Sequence, residues 1–538
     1  MRRESVTLLV NNVKLSVSAS HKEAFSVALG RLRKLGIISD ESNCSVFRRS
    51  IDARKKENIL FVYSVAVKCG DMRQDFERLR KNDIVVLSAE IPSPEIGTEK
   101  LVAPPVVVGT GPAGLFAALM LAELGYAPVV LERGGSVEER RCAVERLNTL
   151  HLLDPETNIQ FGAGGAGTFS DGKLVTRIND PMTSYVLQRF VDFGADESIK
   201  YIAKPHVGTD VLSKIVENML ARIEALGGKI LYHTRFLRAN HNSGRVYSVS
   251  TTRGDIPAGA LILAVGHSAR DTYESLISDS VLLEAKPFSV GMRIEHLTED
   301  IDYAMYGNFA GNERLGHAEY ALSTNTKDRG VYTFCMCPGG EVVAATSEDG
   351  GVVVNGMSYN SRGGRNSNSA VVCSIFREDY GQKPMDAIAF QRRIERAAFS
   401  AGGGDFSAPI ITVGDFLNDE CKNAPSRIKP TYMNGENVRL AKPESYLPGF
   451  VCSSIKNALR DFDRKISGFA AADAVLTGAE TRTSAPIRIL RDAEERVAIG
   501  YYNLYPAGEG AGYAGGITSA AIDGTRCALA LMKKFAPK

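Results

Sequence analysis

The sequence lacks the features that would place it in a membrane or in an oxidising compartment. Its 538 residues contain no run of about 18 uninterrupted apolar residues, so no membrane span is predicted. Asn11, Asn12 and Lys14 interrupt the short apolar stretch near the basic N-terminus, so no signal peptide is predicted. The nine cysteines are scattered without a CxxC pair, which predicts neither a disulfide framework nor a metal site. Free thiols of this kind are typical of a cytoplasmic protein.

An excess of charge of either sign is also absent. The formal net charge is only +2, which does not by itself indicate binding to nucleic acid. Lysine and arginine exceed aspartate and glutamate within the first 100 residues, which leaves an anionic partner open for that part. Aromatic residues are not interleaved with these basic residues as in stacking platforms for RNA, so a nucleic-acid partner is not predicted.

Glycine, in contrast, is abundant, and one glycine-bearing segment has a specific pattern. Residues 106–134 read VVVGTGPAGLFAALMLAELGYAPVVLERG: an apolar strand, a GxGxxG turn, an Ala/Leu-rich helix and a second strand that ends in an acidic residue. In this context the motif predicts dinucleotide binding, with the pyrophosphate at the N-terminus of the helix and the acidic residue on the ribose. The predicted contacts are Gly109, Gly111, Pro112, Ala113, Gly114, Glu132 and Arg133.

Two later segments indicate which dinucleotide binds. Residues 244–266 predict antiparallel strands and then an apolar return strand that stops at Gly266, a β-meander pattern found in FAD-dependent flavoproteins. Near the C-terminus, NLYPAGEGAGYAGGITSAAIDGTRCA predicts a strand that reaches Gly508 and Glu509, followed by a glycine-rich turn and a helix that opens near Ile517. No second GxGxxG is found, so NADH or NADPH would bind transiently, or the electrons would come from the substrate.

The whole chain resembles the glutathione-reductase-like flavoprotein superfamily. Five segments more narrowly resemble an uncharacterised bacterial family of FAD-dependent dehydrogenases: FGAGGAGTFSDGKL, LILAVGHSARDTY, TFCMCPGGEVV, TRTSAPIRILRD and GEGAGYAGGITSAAIDG. In the superfamily an acidic residue of the C-terminal motif binds the ribityl chain, and Glu509 stands where aspartate is most frequent. The helix after Gly515 and Gly516 would direct its positive end at the flavin N1–O2 edge.

The resemblance implies an α/β fold of several domains. A Rossmann-like FAD-binding domain, with a parallel sheet and a β-meander, is expected from residues 96–285 together with 451–538. A substrate or cap domain with a mixed or antiparallel sheet is expected from residues 286–450. The order βαββαβ in residues 1–95 predicts a ferredoxin-like α+β domain, without the cysteines that an iron–sulfur centre needs.

A second glycine-rich stretch, FGAGGAGTFSDGKLVTR, occupies residues 161–177. Glycine loses more backbone freedom on folding than other residues, so this density disfavours a helix or strand, and a flexible loop is one explanation. The resemblance implies another, in which the segment passes beneath the flavin and its glycines leave room for the cofactor, at Gly162, Gly164, Gly165 and Gly167. Lys173 would then stabilise an anion near flavin N5 or O4, or be an ordinary surface lysine.

Other candidates lie on the substrate side. His267 would lie near the adenosine or the flavin ring, or be a loop histidine with local partners only. Cys335 and Cys337 form Cys-x-Cys, which is either a redox pair or two buried strand cysteines, since a disulfide across one residue is strained. Three arginines would bind a carboxylate substrate or form surface ion pairs, namely Arg270, Arg482 and Arg488.

These patterns predict a cytoplasmic, FAD-dependent oxidoreductase that transfers a hydride between flavin N5 and a small molecule. Two alternatives stay open: an FAD-dependent RNA-modifying protein, and a flavin-binding sensor or scaffold without turnover. Neither the substrate nor the oligomeric state is predicted.

Overall fold

The computed structural model of the chain describes residues 6–70, 76–87, 94–175, 180–326 and 329–538. Its N-terminal part is a four-stranded antiparallel sheet in the order β2-β3-β1-β4. The elements are β1 (Val6–Ser16), α1 (His21–Lys34), β2 (Cys44–Asp52), β3 (Leu60–Cys69), α2 (Phe76–Arg80) and β4 (Ile84–Val86). Helix α1 forms because Ser20 and Glu23 make a capping box and because its apolar residues recur at helical spacing.

The next part of the chain alternates strands and helices. Its elements are β5 (Glu99–Lys100), β6 (Pro105–Val108), α3 (Pro112–Glu123), β7 (Val129–Leu131), α4 (Val137–Leu150), α5 (Met182–Asp192), α6 (Thr209–Ala225), β8 (Lys229–Leu231), β9 (Phe236–Asn242), β10 (Arg245–Thr251), β11 (Gly254–Pro257), β12 (Ala260–Leu263) and α7 (Arg270–Ser278).

The remainder is richer in long strands. Its elements are β13 (Leu283–Ala285), β14 (Phe288–Leu297), α8 (Thr298–Tyr306), β15 (Ser323–Thr326), β16 (Arg329–Cys337), β17 (Glu341–Ala344), β18 (Val354–Met357), β19 (Asn366–Ile375), α9 (Arg377–Tyr380), α10 (Pro384–Ala401), β20 (Ala408–Thr412), α11 (Val413–Leu417), β21 (Val438–Leu440), α12 (Gly449–Lys465), β22 (Val475–Glu480), β23 (Ile487–Ile489), β24 (Leu504–Pro506), α13 (Ile517–Lys534) and β25 (Phe535–Ala536).

A parallel sheet of five strands brings distant parts of the chain together. Its order is β24-β12-β6-β7-β8, so the C-terminal strand β24 lies beside β12. Strands β9, β10 and β11 form a separate antiparallel sheet that corresponds to the predicted meander. Strand β6 and strand β12 are buried along their whole length, as expected for the centre of a parallel sheet covered on both faces.

The largest sheet has seven strands in the order β15-β16-β19-β14-β22-β20-β21. It is mixed, because β20 and β21 are parallel whereas the other neighbours are antiparallel. Its central strands β14 and β19 run over ten residues each and pair along their whole length. Strand β22 belongs to this sheet, so the sheet extends beyond residue 450, where the sequence places the end of the substrate domain.

Helices α3 and α13 pack closely behind the parallel sheet. A Cβ atom at Gly524 of α13 would lie 1.9 Å from the carbonyl oxygen of Ala113, so only glycine permits this approach of the two helices. The packing sets the N-termini of α3 and α13 at one edge of the sheet. No helix within the described residues is long and apolar enough to cross a membrane.

Candidate functional site

A cavity of about 450 Å³ lies at the carboxyl ends of the parallel strands. Ligand pockets in proteins usually measure about 300 to 1,000 Å³, so the volume suits a small molecule or part of a cofactor. Loops that follow β6, β7, β12 and β24 line one side. Strands β16 and β22 of the seven-stranded sheet line the other, together with β18, which pairs with β17 in a separate sheet. In open parallel sheets, ligands bind just outside the carboxyl ends of the strands, and this cavity lies in that position.

The predicted dinucleotide loop lies at the cavity wall, with its glycines in different roles. Gly109 has a φ of +94°, and a Cβ there would lie 2.4 Å from the carbonyl oxygen of Ala264. Gly114 does not line the cavity. Its lack of a side chain lets α3 pack against the loop, since a Cβ at Gly114 would lie 1.9 Å from the Gly109 carbonyl oxygen. A Cβ at Gly111 would contact only the Cα of Gly165, at 3.9 Å, and Gly111 precedes Pro112, the first residue of α3. Because no side chain caps this helix, the amide groups of its first turn are left to bind an anion.

The second glycine-rich stretch packs against the first. Gly165 has a φ of +61°, and a Cβ there would lie 2.9 Å from the Cα of Gly111, so the two loops touch through their backbones. Gly162, Gly165 and Gly167 line the cavity. Gly164 does not, since a Cβ there would meet the side chains of Thr168 and Val216 instead. The close approach at Gly164 and Gly165 is therefore between protein segments.

Arg140 of α4 holds this stretch in place, and sequence reasoning missed it. The side chain is 1% exposed, and its guanidinium donates to the carbonyl oxygens of Asn158 and Ala163 at 2.7 and 2.9 Å and also to that of Ile159. Burial lowers the pKa of Arg140 to about 9, which leaves it cationic at neutral pH. The sequence signal was faint, because Arg140 is followed at once by Arg141, which is exposed.

Glu132 is engaged by the protein itself. Its carboxylate accepts the backbone N–H groups of Thr110 (3.1 Å), Gly134 (2.9 Å) and Gly162 (3.0 Å), and also the hydroxyl of Thr110. Four donors fill the four acceptor positions of an ionised carboxylate, so Glu132 ties three loops together. Its contact with a ribose hydroxyl stays a prediction, and it would require one of these hydrogen bonds to be exchanged.

Arg133 lines the cavity beside Glu132. Its guanidinium lies 4.1 Å from the ring centre of Phe161 and pairs with Glu156 at 2.8 Å and Asp271 at 3.0 Å. The side chain is therefore fixed against an aromatic ring at the end of the cavity near β9, where its flat face is part of the wall.

The C-terminal motif supplies a carboxylate that accepts no hydrogen bond from the described residues. Glu509 lines the cavity, and no described residue donates a hydrogen bond to its side chain. Burial raises the pKa of Glu509 to about 7, although Lys286 opposes the shift. The neighbouring Gly508 is a structural residue, because its N–H is bound by Asp523 of α13 at 2.8 Å and a Cβ would lie 2.5 Å from that of Ala113.

The N-terminus of α13 opens on the same cavity. Gly515 and Gly516 have open space where a side chain would stand, and Ile517 begins the helix, so the predicted helix start is confirmed. Gly516 is the N-cap and no side chain caps the helix. Gly266 at the end of the β12 loop also faces open space, with a φ of +73°. These three glycines leave space at the cavity wall that side chains would otherwise fill.

The two predicted catalytic residues both line this cavity. Lys173 donates to the carbonyl oxygen of Met336 and lies 3.7 Å from Asp171 and 3.9 Å from Glu319, so its charge is balanced by two carboxylates. Burial, with Arg482 and Arg270 nearby, lowers the pKa of His267 to about 3, so its imidazole is neutral.

The contacts of His267 fix its tautomer. The hydroxyl of Ser268 donates to Gln160 at 3.1 Å, and the Nδ1 of His267 lies 2.8 Å from that hydroxyl oxygen. The Nδ1–H therefore donates to Ser268, and Nε2 carries the lone pair. The side chain can accept a hydrogen bond from a ligand and does not act as a cation.

The structure separates the five predicted substrate residues. Cys335 and Arg482 line the cavity, whereas Cys337, Arg270 and Arg488 do not. Arg270 and Arg482 both bind Glu395 of α10, at 2.7 and 3.2 Å, so these guanidinium groups form a buried ionic network. Arg488 pairs with Glu284 at 3.0 Å and is 38% exposed.

Two further charged residues were missed because they sit within apolar strands. Arg293 of β14 is fully buried and donates to Glu480 of β22 at 3.0 Å and to Asn368 at 2.7 Å. Burial raises the pKa of Glu480 to about 7, although Arg293 opposes the shift, and this carboxyl group lines the cavity. A charged residue inside an otherwise apolar run, as in FSVGMRIEHL, was the signal that could have found Arg293.

Comparison with known proteins shows which family the chain belongs to. Residues 287–483 match the family described as "FAD-dependent protein, C-terminal domain-like", and residues 8–68 match a domain of unknown function, DUF8436. An uncharacterized protein of Clostridium beijerinckii is 44% identical over 536 residues, which cover 98% of this chain and 99% of that protein. The chain therefore belongs to one family with that protein and carries a domain of FAD-dependent proteins.

The solved structures to which the chain is similar are distant. An L-amino acid deaminase from Proteus vulgaris is 11% identical, with 82% of this chain and 96% of that chain covered and a TM-score of 0.31. A geranylgeranyl bacteriochlorophyll reductase-like protein from Thermoplasma acidophilum is 11% identical, with coverages of 80% and 78% and a TM-score of 0.35. A glycine oxidase from Bacillus cereus is 10% identical, with coverages of 79% and 94% and a TM-score of 0.32.

Proposed function

We propose that this protein is an FAD-dependent oxidoreductase that transfers a hydride between flavin N5 and a small molecule. The observation that supports this most directly is the set of groups left free around the cavity. Two uncapped helix N-termini and the Glu509 carboxylate, which has no donor among the described residues, lie at its wall. These groups fit a ligand that carries phosphates, polyol hydroxyls and a ring that accepts negative charge, which together describe FAD.

Each part of FAD can be matched to a group of residues at the cavity wall. The first-turn amides of α3, with Gly111 and Pro112, would hold the diphosphate. Glu509 would accept a hydrogen bond from the ribityl chain. The N-terminus of α13 would stabilise a negative charge on the ring, by about 0.3 to 1 kcal/mol at an exposed helix end and about 2 kcal/mol when partly buried. A Rossmann-like domain built from residues 96–285 with the C-terminal strand and helix agrees with this assignment.

The bound flavin would supply two-electron hydride chemistry, and the protein would bind and orient the substrate. Lys173 would hold a polar substrate atom, because its ammonium group lines the cavity within reach of the backbone of β16. His267 would accept a hydrogen bond at Nε2. Glu480, whose pKa is near neutrality, would exchange a proton with the substrate at physiological pH.

The N-terminal part has no assigned place in this chemistry. The strand order of its sheet and its βαββαβ element order favour a ferredoxin-like domain. Strand β2 contacts the nucleotide-binding part through Arg49, whose N–H donates to the carbonyl oxygen of Tyr201 at 2.7 Å. We propose that this domain acts as a fixed support for that part.

The absorption spectrum of the freshly purified protein tests the proposal. A flavin spectrum, or its appearance when FAD is added to colourless protein, is expected. Colourless protein that does not bind added FAD would refute it. Anaerobic mixing with NADH and with NADPH then tests the electron source: bleaching of the flavin band identifies a transient nicotinamide donor, and no bleaching with either places the source in the substrate. Identification of any co-purified small molecule would narrow the substrate class.

A further inference from the structure

Strand β16 carries an irregularity at the point where it meets the cavity. Four residues of β16, from Phe334 to Cys337, oppose only three residues of β19, from Ala370 back to Asn368, which defines a β-bulge. Cys335 lies within it and has a φ of +43°, a backbone conformation rare for residues other than glycine. Bulges commonly redirect a side chain next to an active site, and strained residues concentrate at such sites.

The bulge brings the two cysteines together while their surroundings differ. Cys335 lines the cavity, whereas Cys337 is buried. The thiol of Cys337 donates a hydrogen bond to the carbonyl oxygen of Cys335 at 3.3 Å. The Cys335 residue therefore opens on the cavity, and the buried Cys337 thiol is held against its backbone.

A buried cation accompanies the pair. The guanidinium of Arg293 contacts the carbonyl oxygen of Cys335 and lies 3.6 Å from the sulfur of Cys337. The neighbouring Cys337 thiol, together with Arg293 and Lys173, lowers the pKa of Cys335 below its usual value against the opposing effect of burial. Burial and the neighbouring Cys335 raise the pKa of Cys337 well above its usual value. Reactive cysteines lie in partly exposed, electropositive surroundings of this kind.

We propose that Cys335 and Cys337 form a dithiol site that reduces small-molecule disulfides by thiol–disulfide exchange, with Cys335 as the attacking sulfur and Cys337 as the resolving sulfur. In the first step the Cys335 thiolate attacks one sulfur of the substrate, a mixed disulfide forms, and the other half leaves as a thiolate. In the second step Cys337 loses its proton to that thiolate and attacks the Cys335 sulfur. The intramolecular disulfide forms and the second half leaves as a thiolate. This exchange needs no nucleotide and does not rest on the proposed flavin chemistry.

A single tryptic peptide makes the test specific. Trypsin cleaves after Arg329 and Arg362, and residues 330–362 contain no other lysine or arginine and only these two cysteines. The reduced, desalted protein is treated with 2-hydroxyethyl disulfide, quenched with acid and digested, and this peptide is weighed. The wild-type peptide is expected to lose two hydrogens and to keep no mercaptoethanol group. In Cys337→Ser it is expected to gain one mercaptoethanol group, and in Cys335→Ser to stay unmodified.

Controls separate this site from ordinary thiol reactivity. Cys142→Ser removes an exposed cysteine on α4 and should leave the result at residues 330–362 unchanged. Alkylation of Cys335 by iodoacetamide should follow a pH profile whose midpoint lies clearly below the value of about 8.5 that is usual for a free thiol. The proposal is overturned if the wild-type peptide retains a mixed disulfide, if Cys335→Ser is modified at Cys337 to the same extent, or if the midpoint for Cys335 is that of an ordinary thiol. Protein that fails to bind FAD but still forms the Cys335–Cys337 disulfide would refute the flavin proposal alone.

Discussion

Replacement of Glu509 by glutamine tests the assignment of the cavity most directly. The side chain lines the cavity, has no donor among the described residues, and has its pKa raised by burial to about 7. Glutamine has nearly the same shape and keeps an acceptor oxygen but lacks the charge, so Glu509→Gln weakens a ligand contact without removing a hydrogen bond within the described protein. The ligand-free variant should therefore be at least as stable as the wild type, while it binds FAD more weakly.

The pKa of Glu509 sets the size and the pH range of the stability change. Because folding raises this pKa from 4.5 to about 7, the wild-type protein loses stability as the pH rises between these values. Each pKa unit corresponds to about 1.4 kcal/mol, so the loss is about 3 kcal/mol above pH 7. Glu509→Gln lacks this titration. Its advantage in the free energy of unfolding should be absent near pH 4, grow up to pH 7 and stay constant above it.

The change in FAD affinity follows from the lost charge. A hydrogen bond to a charged group contributes about 1.5 to 3 kcal/mol and one between neutral groups about 0.5 to 1.5 kcal/mol, so the Kd for FAD at pH 8 should rise about 5- to 10-fold. Quenching of flavin fluorescence on titration of apoprotein measures the Kd, and denaturant unfolding at several pH values measures the stability. Glu420 is an exposed residue that pairs with Lys422 and does not line the cavity. Glu420→Gln is therefore the matched control and should change neither the Kd for FAD nor the free energy of unfolding. An unchanged Kd in Glu509→Gln would show that this carboxylate does not contact the cofactor.

Three further substitutions test the framework of the site. Gly165→Ala places a Cβ against the dinucleotide loop in a left-handed backbone, so it should weaken FAD binding in the fluorescence titration. Gly254→Ala, equally left-handed but in open space, should only lower stability, by about 1 to 2 kcal/mol. Arg140→Met leaves three buried carbonyl oxygens without their donor and should lower the unfolding free energy by about 3 kcal/mol or more, with faster proteolysis within residues 158–168; an unaltered cleavage rate would contradict this role. Glu395→Gln should cost about 3 to 5 kcal/mol at pH 7 in denaturant unfolding, because two buried arginines lose the negative charge that they share and only Arg270 keeps another carboxylate, Glu348. Since folding lowers the pKa of this carboxyl group, the difference from the wild type should shrink below about pH 4, and a difference that grows on acidification would refute the reasoning.

The sequence alone predicted the local features of the candidate site. The turn at Gly109, the start of α3 and the start of α13 depend on glycine dihedrals and helix-terminal residues, which neighbours along the chain determine. The apolar strands around residues 106–108 and 260–263 are likewise readable from short runs of residues. For this reason the positions of the two glycine-bearing turns relative to their own strands and helices could be predicted.

Other features were decided by tertiary packing. Arg270 was expected to bind a substrate, but it is matched to Glu395, 125 residues away, and no local pattern encodes that contact. The four donors to Glu132 come from three separate loops, so its engagement depends on how these loops meet.

The bulge that sets Cys335 in front of Cys337 arises from the pairing of β16 with β19, and β22 joins the large sheet only because it pairs with β14. Local sequence thus determined the dihedral preferences and the element types. The tertiary structure determined which charges are paired and which remain free for a ligand, because that depends on residues brought together from distant parts of the chain.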